Sequence, residues 1–317
     1  MKATSFARIA ALGCLLFLSA CTSDPSESGD PSGSGSFEAE FSLGEPEVVT
    51  SGFMFTEGPH WLDEGSLDDG SLLFSDIPAG KVYQWRPGSS ESTVFIDSSG
   101  AANGIDELPD GTLVLAQHAG RVSRADGSTP DSLTLTPIVS EYQGKRLNSP
   151  NDLAVRSDAV IFFTDPTFGV SEENQELSFA GVYRVDPGGA LTLMYDDFAL
   201  PNGVALSPDE SVLYVSDSET GDVMRFDVLE NGDLEHETLF ANVGARTETG
   251  AADGMLTDSD GRLYTTGPNG LMGCGTNGET LATLDFGQQV TNLAWDENET
   301  TLFVTSVADV FRVDVTR

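Results

Sequence analysis

Short apolar runs recur along the chain, at 72–76 (LLFSD), 113–117 (LVLAQ), 161–165 (IFFTD), 213–217 (LYVSD), 263–267 (LYTTG) and 302–306 (LFVTS). Rich in β-branched and aromatic residues and bounded by polar turn residues, they predict strands rather than helices. Turns such as Pro109-Asp110-Gly111 and Asp258-Ser259-Asp260-Gly261 precede several of them, as a hairpin requires. A second kind of run, alternating polar and apolar positions, follows at 81–85, 121–124, 181–185, 222–226 and 309–313. A further run comes after it in most units, as at 92–96, 191–195 and 238–240.

Each unit also carries a polar marker ahead of its first apolar run: Glu57, Asn103, Asn151, Asn202, Asp253 and Asn292. All but Asn151 and Asn292 are followed by Gly, and the steps between markers are 46, 48, 51, 51 and 39 residues. Four short antiparallel strands repeated at this spacing predict an all-β fold, a six-bladed β-propeller over residues 45–317. The sixth unit ends at Arg317 just after its third strand, and 47–51 (EVVTS) is expected to supply the missing outer strand and close the ring. An open six-repeat solenoid and a pair of β-sandwiches are the alternatives to that closed ring.

The amino terminus reads differently. Lys2 and Arg8 precede an apolar stretch over 9–18, and Leu18-Ser19-Ala20-Cys21 follows. This is the layout of a secretory signal over 1–20, too short to span a bilayer, and its end resembles a bacterial lipobox. Cys21 is then the lipidation site, and the Ser/Gly/Pro-rich stretch over 21–44 a flexible tether. An exported bacterial lipoprotein is expected, at the outer membrane or cell surface, touching the membrane only through Cys21. With Cys14 lost in the signal and Cys21 lipidated, Cys274 stands alone, so no intrachain disulfide is available. In its Gly-rich setting it reads as a small buried residue.

Charge narrows the range of partners. Asp and Glu number 51 against 15 Lys and Arg, a net charge of −36, which excludes a nucleic-acid-binding protein because phosphate contacts need clustered basic residues. A 39% hydrophobic share with 18 Phe is enough for a folded core.

In a propeller the six markers ring one mouth of the central channel. Two carboxylates and several amides, with no Lys, Arg or His among them, make an all-oxygen set suited to a hard cation such as Ca²⁺. The alternative is that Asn-Gly and Asp-Gly are turn residues with no ligand. The motifs Glu57-Gly58-Pro59-His60-Trp61, Ser149-Pro150-Asn151-Asp152-Leu153, Pro201-Asn202-Gly203-Val204, Ala252-Asp253-Gly254-Met255 and Thr291-Asn292-Leu293-Ala294, with Phe74-Ser75-Asp76-Ile77 and Phe162-Phe163-Thr164-Asp165-Pro166, closely resemble the SMP-30/gluconolactonase/LRE family over roughly 45–315.

The resemblance implies a divalent metal, usually Ca²⁺ with Zn²⁺, Mn²⁺ or Mg²⁺ as alternatives, held by Glu57, Asn202 and Asp253 and, in some branches, by Asn151. It implies hydrolysis of a small-molecule lactone, with Asp253 as general base and Asn151 binding substrate. Asn103, Asp152 and His118 are expected to line the pocket, and Asp76, Asp165 and Asp217 to lie near the same mouth. His60 is expected to pack and His236 to be solvated. Animal members carry an Arg where this chain has Ser149, which points to the bacterial gluconolactonase branch. A monomeric lactonase is the expectation; the competing one is a surface-tethered binding propeller whose metal is structural.

Overall fold

The computed structural model describes residues 41–268 and 270–317. The expected signal, Cys21 and the tether up to residue 40 lie outside them. Among the described residues the chain is a six-bladed β-propeller whose only helical element is a 3-10 turn, Pro130–Ser132.

The innermost strands are Thr56–Leu62, Ala102–Glu107, Leu153–Val155, Pro201–Leu206, Met255–Thr257 and Val290–Trp295. Each pairs antiparallel with the apolar run that follows it, and blades one to five continue outward through two more strands. The third strand of blade five, Gly270–Cys274, is absent from the sequence reading because GLMGC has almost no β-branched or aromatic character. It forms because its neighbours pair on both sides.

Closure follows the expected route and extends it. Glu47–Ser51 pairs antiparallel with Asp309–Thr316, Val48 facing Phe311. Ser42–Leu43, assigned to the tether by composition, pairs with the end of the same strand, Leu43 facing Val315. The propeller therefore begins at least by residue 42, not at 45; main-chain pairing, which composition does not report, orders these residues.

Burial explains why the second strands are apolar without alternation. Leu73 packs between blades one and two, whereas Leu72 and Phe74 pack between blades one and six. Phe163 faces blade two and Phe162 faces blade four. Successive side chains point to opposite faces, and each blade is covered on both, so every position in the run is buried. Six such clusters, one between each pair of neighbouring blades, form the core.

Candidate active site

The markers sit at the entry to the innermost strands, where pairing is interrupted in four blades. Register breaks fall between Glu57 and His60, Ala102 and Ile105, Pro201 and Val204, and Val290 and Leu293. Such bulges re-aim side chains, here toward the channel.

The backbones of three markers are then held by a hydroxyl of the preceding blade. Ser75 Oγ donates to Asn103 O at 2.8 Å, Thr164 Oγ1 to Asn202 O at 2.6 Å and Ser216 Oγ to Asp253 O at 2.8 Å. Thr291 Oγ1 donates to Thr56 O at 2.8 Å across the closure. In blade two the equivalent residue is Ala116, and Gly104 N donates to Asn151 O at 2.8 Å instead.

Gly203 and Gly254 serve this contact rather than turns, whereas Gly58 also has a positive φ of 47°. Gly203 and Gly254 do not have positive φ. A Cβ at Gly203 would lie 2.2 Å from Asp253 O, and one at Gly254 2.0 Å from Asn292 Oδ1. Only a residue without a side chain lets adjacent blades meet here.

The result is a cavity of about 450 Å³ at the marker end of the channel, lined by Glu57, Asn103, Asn151, Asn202 and Asp253. All five are buried. Asn202 Nδ2 donates to Ser218 Oγ at 2.9 Å, and Ser218 Oγ to Ala252 O, which fixes the amide orientation. Glu57 Oε2 accepts from Gly58 N at 3.0 Å. Asp253 Oδ1 and Asn103 Oδ1 have no hydrogen-bond partner among the described residues.

Two buried carboxylates with so little compensation hold their protons tightly. Burial, and then the charge of Asp152, pushes Glu57 up to about 8. Burial, with Glu57 and Asp152 adding to it, raises Asp253 well above the usual carboxylate range. A divalent cation would answer this charge, and the oxygen-only donors Glu57, Asn151, Asn202 and Asp253 fit one in chemistry. Among the described residues no cluster of three or more His, Cys, Asp or Glu is arranged as a metal site, so the fit rests on amides as well as carboxylates.

His118 lines the cavity, its Nε2 3.4 Å from Asn103 Nδ2, and burial lowers its pKa to about 4, so the ring is neutral at pH 7. Asp152 does not reach this cavity. Its carboxylate accepts from Leu153 N and Val204 N, and it lines a separate cavity of about 410 Å³ at the other end of the channel, together with Asn292. Residue 152 follows the marker directly, just before the strand Leu153–Val155, and its side chain points the opposite way.

Asp76, Asp165 and Asp217 end their strands at the marker face, but their carboxylates are turned to loop backbone. Asp76 accepts from Met54 N and Phe55 N, Asp165 from Asn148 N through Oδ2 while its Oδ1 has no partner among the described residues, and Asp217 from Ala199 N, Leu200 N, Glu219 N and Thr220 N.

His60 lies 3.8 Å from Asp106 and 3.7 Å from Glu107 at the far cavity, and His236 is exposed beside Asp227. Cys274 is buried and free, its thiol pushed up to about 11 by burial. Ser149 is buried, donating to Pro166 O at 2.6 Å and accepting from Gly169 N at 2.9 Å. It thereby anchors the loop that carries Phe168.

Phe168 and Arg246 also line the cavity, and neither was singled out from sequence. The guanidinium carbon of Arg246 lies 6.0 Å from the centre of the Phe168 ring. Both residues sit on loops, over 168–180 and 242–252, where no repeat register marks a position.

The chain matches the family model described as SMP-30/Gluconolactonase/LRE-like region over residues 55–308. It is 33% identical over 295 residues to a gluconolactonase of Zymomonas mobilis, the match covering 84% of this chain and 80% of that protein. A pentonolactonase of Haloferax volcanii is 26% identical over 221 residues, 68% of each chain. The solved structure of a Xanthomonas campestris gluconolactonase superposes with a TM-score of 0.76 at 30% identity, covering 87% of this chain and 91% of that one. With the repeat, five of the six markers at one cavity, Asn292 lining the other instead, and these likenesses in agreement, the chain belongs to the SMP-30/gluconolactonase/LRE-like family.

Proposed function

We propose that this protein is a lactonase, a hydrolase that opens the ring of a small lactone in the cavity lined by Glu57, Asn103, Asn151, Asn202 and Asp253. The observation that carries the reading is the buried Asp253 Oδ1, without a partner among the described residues in a cavity it shares with Glu57. The Zymomonas and Xanthomonas relatives, both named gluconolactonases, support the reaction class.

Glu57, Asn151, Asn202 and Asp253 would hold a divalent cation, with Ca²⁺ preferred by an all-oxygen set. Once bound, the ion supplies charge that stabilises the oxyanion developing on the lactone carbonyl.

The remaining chemistry belongs to the chain. Asp253 takes a proton from water as the water oxygen bonds to the lactone carbonyl carbon. That proton passes to the ring oxygen as the carbon–oxygen bond breaks, leaving a hydroxy acid. Asn103 and Asn151 orient the ring, and neutral His118 stands beside the Asn103 amide without adding charge. Ser216, through Asp253 O, keeps the base at its station.

Asp253→Asn tests the assignment. It is expected to lower kcat by about 10² to 10⁴ with melting and far-UV circular dichroism preserved. A folded variant that keeps most of its turnover would remove Asp253 from the chemistry. Export with a lipid on Cys21 belongs to the same proposal; fatty-acid labelling of the wild type that persists in Cys21→Ser would refute it.

A further inference from the structure

Arginines in this chain are usually engaged. Of the eleven in the described residues, eight sit in ion pairs, as expected where acids outnumber bases 51 to 15. Arg121 donates to Gln117 Oε1, and Arg146 to the carbonyls of Leu147 and Asn148. Arg246 has neither an ion pair nor a hydrogen bond among the described residues.

It is also the one Arg or Lys lining the marker cavity among those residues. Its guanidinium carbon lies 6.0 Å from the centre of the Phe168 ring, and its N–H groups, with no partner among the described residues, are free to grip a planar anion. The loop that carries it is tied back at Thr247 N to Gly250 O at 2.9 Å and at Thr249 Oγ1 to Pro268 O at 3.1 Å. Its charge reaches Asp253, where it opposes the effect of Glu57 and Asp152. In a cavity whose other charged lining residues are the acids Glu57, Glu248 and Asp253, this guanidinium is the one side chain of opposite charge that an anionic ligand meets among the described residues.

We propose that Arg246 receives a carboxylate carried by the substrate, and that the preferred lactones are acidic ones, bearing a carboxylate at the end of the chain remote from the ring carbonyl. The inference rests on the lactonase reading for its reaction and adds the substrate class. Phe168 lies beside the guanidinium, while the carbonyl end of the same molecule lies at Asp253. Arg246 is thus a specificity-determining residue, separate in role from the groups that handle the proton.

A matched pair of probes tests this: D-glucono-1,4-lactone, which is neutral, and D-glucaro-1,4-lactone, which differs by one terminal carboxylate. The KM of the acidic lactone relative to that of the neutral one is expected to rise about tenfold or more in Arg246→Gln, the scale of one lost charge-assisted hydrogen bond. Arg246→Lys, which keeps the charge but not the planar fork, is expected to fall between. An unchanged KM ratio in Arg246→Gln overturns the inference and leaves the lactonase reading standing. If the wild type opens neither lactone, the lactonase reading fails on its own. Calorimetric titration with the glucarate dianion then decides the inference: weaker binding by Arg246→Gln supports it, equal or absent binding by both proteins overturns it.

Discussion

Carboxylates at the marker face divide by what their oxygens touch. Asp217 accepts four backbone N–H groups and Asp76 two, so these side chains hold loops to strand ends. Asp253 Oδ1 accepts none. The two classes should respond differently to substitution. Asp217→Ala is expected to lower stability by roughly 1–3 kcal/mol, by removing four hydrogen bonds that tie partly buried loop backbone to the strand end, with kcat per folded molecule within about twofold of wild type. Thermal melting and active-site-normalised kinetics check both halves, in contrast to the kcat loss expected of Asp253→Asn. From sequence alone the two classes look alike, because both are acids at repeat positions. Register found Glu57, Asn103, Asn151, Asn202 and Asp253 because they recur; it placed Asp152 on the wrong side, since a one-residue step along an extended chain reverses the side chain. Arg246 and Phe168 do not recur, and only folding brings their loops together.

Within the elements, the site is built by contacts between the entry of one innermost strand and the next blade. Gly203 and Ser216 both touch the residue that matters most: a Cβ at 203 would meet Asp253 O at 2.2 Å, and Ser216 Oγ donates to that same oxygen while accepting from Gly203 N. Gly203→Ala is expected to cost about 1–3 kcal/mol by overpacking and to reduce kcat by displacing Asp253. Ser216→Ala removes one donor and is expected to cost about 1 kcal/mol with a smaller kinetic effect. Denaturant melts beside steady-state rates separate the two; a Gly203→Ala protein with wild-type stability and rate would show that the blades can part here without consequence. Asn-Gly and Asp-Gly pairs suggest turns when met in sequence. Their role in close approach is invisible there because the obstructing atoms come from a residue about fifty positions away. The hydroxyls at Ser75, Thr164 and Ser216 were written in the apolar runs at one fixed place, a signal that could have been used.

For the molecule as a whole, closure and charge set stability. Removing residues 42–51 would bare the edge of Asp309–Thr316, which pairs with both amino-terminal strands. Unpaired edges promote association. The propeller itself was legible because its pattern repeats six times, so a weak strand such as Gly270–Cys274 did not hide it. Charge gives a pH dependence with a definite sign. Glu57 is raised to about 8, and Asp152 and Asp165 to about 7, all chiefly by burial. Between the ordinary carboxylate range near pH 4 and those values, the folded protein binds protons that the unfolded chain has released. Chelated protein should therefore lose stability as pH rises from about 5 to 8, and Ca²⁺ should flatten that slope by neutralising Glu57. Melting curves across that range, with chelator and with Ca²⁺, check the sign; parallel slopes would mean that no cation meets Glu57.

Cation-dependent lactone opening at the marker cavity is tested most directly by the rate of gluconolactone hydrolysis in a pH-stat, before chelation, after it, and after Ca²⁺ is restored. The expected result is loss of turnover on chelation and its recovery with Ca²⁺ or another divalent ion. Undiminished hydrolysis by fully metal-free protein would contradict the assignment of Glu57, Asn151, Asn202 and Asp253 as the cation's ligands.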